Sequence, residues 1–290
     1  GMVGIAFAFL FAILMGTASV FSRRGLENGS FYAMLVISLA IGSPIFLSIT
    51  AVTTGFANTP LYGVLYAAAG AVVGSVLGRS LYFLGINYLG PGKSLSITAT
   101  SPLYAAGLAW IVLDETITAL VVVGTLVIVV GIVVLSKDIR TETEQSNHSM
   151  VVALYPLIGA MFAAVAVTLR KIALTTGIAP IEAATVNMVV GFLAVSPTLA
   201  TRWRAELVDI DRSALRNFVI ASTIMAVAFA FYFFGLRLTN ASVFFPLVQT
   251  QPLFAVVLST LFLGRLEVIS RWTVAGSAII VGGATLVVVG

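Results

Sequence analysis

The chain has 290 residues, of which 60% are hydrophobic and 9% charged, with mean hydropathy +1.11, net charge +4 and a pI near 9.6. A soluble domain carries about 25% charged residues, and no soluble fold of this length has an interior for so much apolar surface, so the solvent of most side chains is lipid. Cysteine is absent and His148 is the only histidine, which excludes disulfides, thiol catalysis and metal sites built on either residue. No cofactor is called for, and the scattered basic residues form no stripe of the kind that nucleic acid requires.

Crossing a bilayer as a helix takes roughly 17–25 apolar residues, and ten such runs lie along the chain. The first, 3–25, ends at Arg23-Arg24, and its opening Gly1–Phe21 has neither the basic start nor the A-x-A-like site of a cleavable signal peptide. Runs 31–53 and 61–86 follow. The latter carries Gly70, Gly74 and Gly78, a doubled Gly-x-x-x-Gly that places small residues on one face and predicts close packing within the chain rather than dimerisation. Gly90-Pro91-Gly92 and Lys93 open the run 92–112, which holds Thr98, Thr100, Ser101 and Pro102. The run 117–136 contains Gly124 and Gly131. After the most polar stretch, Ser136–Ser149, come 150–172, ending in Arg170-Lys171, and 180–200, with Glu182 at its start and Asn187 inside. The polar loop Thr201–Asn217 predicts a short interfacial helix. The last runs are 215–237, 241–263 with Gln249, Thr250, Gln251 and Pro252, and 270–289 with Gly276 and Gly283. Trp110, Trp203 and Trp272 fall near run ends, as an interfacial belt requires.

Residues 81–113 recur at 231–263: Tyr82, Phe83, Gly85, Thr100, Pro102, Leu103, Ala105, Leu108 and Leu113 meet the same types at Tyr232, Phe233, Gly235, Thr250, Pro252, Leu253, Ala255, Leu258 and Leu263. Arg23-Arg24 aligns with Arg170-Lys171, and Gly124 and Gly131 align with Gly276 and Gly283. Each copy holds five runs, an odd number, so the second enters the membrane upside down relative to the first. The expected architecture is therefore an all-α integral membrane protein, ten transmembrane helices as two inverted five-helix repeats, 1–136 and 150–290, joined by the polar linker 137–149. Inverted repeats around a central site are a common plan of secondary transporters. Loops after odd-numbered runs hold Arg23, Arg24, Lys137, Arg140, Arg202, Arg204, Arg212, Arg216, Arg265 and Arg271, while the others hold Arg170, Lys171 and Arg237. Because positive residues concentrate in cytoplasmic loops, this bias places both termini outside the cytoplasm.

No catalytic constellation stands out. Pro102 and Pro252 lie inside apolar runs, where proline removes a helix hydrogen bond and frees the carbonyls of Thr98 and Val248. Polar side chains flank both: Thr98, Thr100 and Ser101, then Gln249, Thr250 and Gln251. Irregular backbone at membrane depth is tolerated only in protein or beside a watery cavity, so the two kinks predict a shared central cavity; bent helices with hydrogen-bonded neighbours are the alternative. Tyr82 and Tyr232 offer a ring and a hydroxyl, and Asn187 a buried amide, to ligand or to packing alike. Arg23, Arg170, Lys171, Arg237 and Lys93 read as headgroup anchors, and Arg79 is ambiguous. Asp114, Glu115 and Glu182 sit at run ends, so no carboxylate near a run centre supports proton coupling, which leaves facilitated diffusion or exchange.

These features resemble the EamA-type drug/metabolite transporter superfamily over essentially the whole chain. The resemblance rests on the two five-helix halves, each with a proline-containing span followed by a Leu-Gly-Glu-like turn, here Leu113-Asp114-Glu115 and Leu263-Gly264-Arg265, and on Met15-Gly16 where Trp-Gly is usual. Neither turn carries the full Leu-Gly-Glu, and the arginine often found in spans two and seven is absent, with Asn187 near its place in span seven. The resemblance implies a multi-pass transporter of the cell membrane rather than an enzyme. It implies movement of amino acids, other metabolites or drugs, often outward, with cytoplasmic termini, against the charge count. The expected function is alternating-access transport of a small amino acid-like or amphipathic metabolite, by an exporter or facilitator. The expected partners are a small-molecule substrate and the lipid bilayer, for a monomer, with a dimer as the alternative. A nucleotide-sugar or lipid-linked sugar translocator would want Lys93 or Arg79 facing the cavity for phosphate, and a membrane-embedded enzyme would want an acid or histidine cluster at one face.

Overall fold

The computed structural model describes residues 1–89, 91–137, 150–262 and 270–290. The linker beyond Lys137, His148 and the turn Leu263-Gly264-Arg265 lie outside the described residues. Ten apolar helices long enough to span a membrane follow the chain: α1 Met2–Leu26, α2 Phe31–Thr53, α3 Leu61–Leu89, α4 Lys93–Val112, α5 Ala119–Ser136, α6 Val151–Thr175, α7 Pro180–Ala200, α8 Arg212–Leu238, α9 Ala241–Phe262 and α10 Arg271–Val289. The polar loop after α7 forms short helical turns at Arg202–Arg204 and Ala205–Val208. One boundary matters for the site. α6 does not stop at residue 172: Ala173 and Leu174 are buried and continue its apolar face, and Gly177, at φ +95°, follows the end of the helix.

Glycine contacts show how the halves meet. An added Cβ on Gly124 of α5 would lie 2.7 Å from the Gly283 carbonyl oxygen of α10, and one on Gly276 of α10 would lie 2.9 Å from the carbonyl of Gly131. Gly124 corresponds to Gly276 and Gly131 to Gly283, so these repeat mates cross antiparallel, as only an in-plane two-fold axis allows. α2 and α7 repeat the pattern, with Gly42 against Met188, Leu39 against Gly191, and the Thr50 and Thr185 hydroxyls 2.6 Å apart. α1 packs on α8 and α9 as α6 packs on α3 and α4, so each half's first helix is held by the other repeat's counterpart contacts. The doubled glycine motif of α3 faces α6 inside the chain, as the close-packing reading requires: Gly74 approaches Ala166 and Gly78 lies against Phe162. In lipid, such van der Waals contact stands in for the missing hydrophobic drive. Gly124→Ala is expected to push α5 from α10 and lower thermal stability in detergent by about 1–3 kcal/mol, whereas Gly282→Ala, with nothing within 4 Å of its Cβ, leaves it unchanged.

Three spans depart from regular α-helix in their interior. The centre of α3, Ala71–Gly78, is wound as a π-helix. α4 breaks between Thr98 and Ser101, and α9 between Val248 and Gln251. Pro102 and Pro252 therefore sit in the first turn of a restarted helix, where their missing N–H has no ladder partner to lose, rather than kinking a continuous one as expected from the sequence. The repeat mates differ in one respect. The first half of α9, Ala241–Val248, packs on the second half of α4, Ser101–Val112, but the two-fold related segments Pro91–Thr98 and Gln251–Phe262 show no comparable packing. Among the described residues the bundle is closed at the end that carries both termini and has fewer contacts between these half-helices at the other.

Candidate functional site

The π-wound stretch of α3 begins just after Gly70 and contains Gly74, and the groove that these two residues leave takes the side chain of Arg170 from α6. A Cβ on Gly70 would meet the arginine's Cγ at 3.0 Å, and one on Gly74 would meet its Nη2 at 3.1 Å. Arg170 is 7% exposed. Its Nη2 donates to Asn187 Oδ1 and Ser75 Oγ, both at 2.9 Å, with the Gly70 carbonyl at 3.4 Å. Asn187 Nδ2 donates to Ser75 Oγ at 3.3 Å. The Tyr232 ring lies 5.5 Å from the guanidinium carbon, a cation–π distance. Two donors are left over: Arg170 Nε and the Tyr232 hydroxyl are buried without a hydrogen-bond partner.

Beside this cluster runs a narrow cavity of about 10 Å³, lined by Ser38, Ser75, Arg79 and Asn187 and by the apolar Leu39, Met188, Met225 and Phe229. Arg79, one turn beyond Ser75 on α3, is within electrostatic range of Arg170. Among the described residues no carboxylate pairs with either arginine. Burying an ion without a counter-charge is expensive in a membrane and marks functional positions.

The structure divides the residues singled out from sequence. Asn187 and Tyr232 join the arginine cluster. Ser101 and Gln249 meet at the two helix breaks, where Gln249 Nε2 donates to Ser101 Oγ at 2.9 Å. The hydroxyls of Thr98, Thr100 and Thr250 donate to carbonyls of their own helices, and Gln251 is half-buried with no hydrogen bond among the described residues. Of the polar groups beside Pro102 and Pro252 only Ser101 and Gln249 join two helices, and the cavity described above lies instead beside α2, α3, α7 and α8. Tyr82 is half-buried against Phe83, in the field of Arg23; this is the two-fold mate of the Arg170–Tyr232 pair, with Arg23 exposed rather than enclosed.

Two headgroup anchors need correction. Arg170 is turned inward, because α6 runs five residues past it. Lys171 Nζ donates to the carbonyls of Leu236 and Thr239, each at 2.7 Å, and so caps the end of α8. Lys93 is exposed, as an anchor would be. Glu115, the last residue of the Leu-Gly-Glu-like turn, has a role that the turn alone did not disclose. Its carboxylate accepts from the Ala241 and Ser242 amides at 2.7 and 2.9 Å and from Ser242 Oγ at 2.7 Å, which caps the start of α9 and ties it to α4. Asp114 before it takes φ +52°, the left-handed conformation that glycine adopts without strain.

Set beside known proteins, the chain matches the model of the EamA-like transporter family twice, over residues 2–137 and 150–289. A solved structure titled only "Crystal structure of protein" superposes with a TM-score of 0.76 over 98% of each chain at 15% identity, a likeness of fold. No curated protein matches.

Proposed function

The chain belongs to the EamA-like transporter family and is a multi-pass membrane transporter, and on that premise we propose that it carries a small metabolite by alternating access. The observation that supports this most directly is the inequality of the repeat mates: α4 and α9 pack together at the terminal end and show no comparable packing at the other among the described residues. A frame with two-fold related packings has a second conformation available, in which the other pair of half-helices closes and the first opens. The cavity beside Ser75 and Asn187 lies between those ends.

The cargo in this reading is amino acid-like or amphipathic, since polar and apolar walls alternate around the cavity. Facilitated movement or exchange fits the absence of a central carboxylate among the described residues, and export is the direction that family resemblance favours. The carrier works as a monomer in the cell membrane, with its basic face, the one holding Arg23, Arg24, Arg202, Arg204 and Arg212, in the cytoplasm. Arg79 on the cavity wall also favours a second cargo class, a phosphate-bearing sugar or nucleotide.

Purified protein in liposomes tests the carrier reading. Exchange of labelled cargo is expected for at least one member of a panel of amino acids, organic acids and sugar phosphates. Folded protein that moves none of them would sink it.

A further inference from the structure

We propose that the cavity lined by Arg79, Ser75 and Asn187, the last two bonded to Arg170, takes the oxyanion head, carboxylate or phosphate, of a small molecule whose remaining body is mostly apolar. This inference rests on the carrier reading and names the chemistry of its cargo. Four features converge on it. Two guanidinium groups share one region of the bilayer-embedded core, and no carboxylate among the described residues neutralises either. Arg170 is more than nine-tenths buried, and its Nε is a donor with no acceptor. Tyr232, 3% exposed, has its ring against the same guanidinium, and its buried hydroxyl is a second donor left over. The far walls, Leu39, Met188, Met225 and Phe229, offer no polar side-chain group apart from thioethers.

The alternatives are weaker on the same observations. A cation would add to two positive charges already in mutual range. A neutral ligand would leave both arginines uncompensated in a medium where an unpaired ion is costly. An oxyanion accepts from a guanidinium fork in two parallel bonds and has lone pairs to spare for a hydroxyl donor. The cavity as it stands has room for little more than a water molecule, so the ligand enters as the helices part. Methionines at positions 188 and 225 suit such a wall, because an unbranched thioether adapts to varied shapes.

The test is binding in detergent, followed by ligand-induced thermal stabilisation, with four probes sharing one six-carbon body: hexanoate, hexyl phosphate, hexanol and hexylamine. Hexanoate or hexyl phosphate is expected to stabilise the protein in a saturable way, the tighter of the two identifying the head group, while hexanol and hexylamine do not. Arg79 makes no hydrogen bond among the described residues, so Arg79→Gln removes no structural bond. It is expected to weaken binding of the anion by about tenfold or more, as loss of a charge-assisted contact does, with Arg79→Lys recovering part of it. Equal binding of hexanol and hexanoate, no binding of either anion, or unchanged affinity in Arg79→Gln would each overturn the inference. The two readings fail separately. Anion binding without liposome exchange counts against the carrier, and exchange of a neutral metabolite without anion binding counts against the anion site.

Discussion

Arg170→Met is expected to abolish transport while leaving the protein as stable as before, or more so. The arginine is a buried cation held by two neutral oxygens at 2.9 Å and a carbonyl at 3.4 Å, with no anion among the described residues to offset its loss of hydration. Replacing a buried ionic group with an apolar one of similar volume is often neutral or stabilising, by about 1–4 kcal/mol. Methionine follows the same groove past Gly70 and Gly74, and Asn187 keeps its bond to Ser75. Transport, by contrast, loses the charge that the cargo meets, an effect of about a hundredfold or more for a charged contact worth roughly 3 kcal/mol. Thermal melts and liposome exchange on the same preparation measure both. A headgroup anchor would behave in the opposite way, with exchange retained and stability reduced.

The second large effect is expected at Glu115. Its carboxylate is the acceptor for three donors at the start of α9, where the helix dipole also favours negative charge. Glu115→Gln keeps the shape but turns an NH2 group toward those donors and removes the charge. The expected cost is about 2–4 kcal/mol, from charge-assisted bonds of roughly 1.5–3 kcal/mol each, partly replaced by the amide oxygen. That cost falls on the closed terminal end, so the equilibrium moves toward the conformation in which that end is open. The chain has no cysteine, which makes the readout simple. A cysteine placed at Thr239, buried beneath the clamp, should react faster with an impermeant maleimide in the Glu115→Gln background than in the parent. Labelling of intact cells from outside would follow from the charge bias. An unchanged labelling rate would mean that Glu115 stabilises the fold without controlling the closed end.

The membrane spans were readable because lipid imposes a length and a polarity that a sequence displays directly. The inversion was readable too, since each repeat has five spans, and Gly124, Gly131, Gly276 and Gly283 turned out to be the residues at which the mates cross. Pro102 and Pro252 pointed to irregular backbone in α4 and α9, but as kinks, where the structure has breaks with each proline in the first turn of a new helix. What they did not mark was the cavity, because the polar groups around them are consumed by their own helices or by one another. Arg170 was misplaced for a specific reason. Next to Lys171, at the edge of the apolar run 150–172, it has the sequence setting of half a headgroup pair. A helix that continues to Thr175 puts it more than a turn inside, and the signal lay in Ile172, Ala173 and Leu174. The π-winding of α3 and the Glu115 clamp are set by partners distant in sequence, which local patterns do not contain.

The bond between Ser101 and Gln249 carries one more consequence. Its two-fold counterpart would join Gln251 to Ala99, and alanine has no polar side chain to offer. Exchanging the roles of the halves therefore breaks a hydrogen bond and makes none in return. The two conformations differ in energy before any cargo arrives, by about 1 kcal/mol for one such bond, a resting population ratio of roughly five to one. Such a bias cannot drive net flow across a membrane at equilibrium. It makes the carrier's apparent affinity depend on the face from which it is approached, so a symmetric ancestor has become a device with a preferred waiting position.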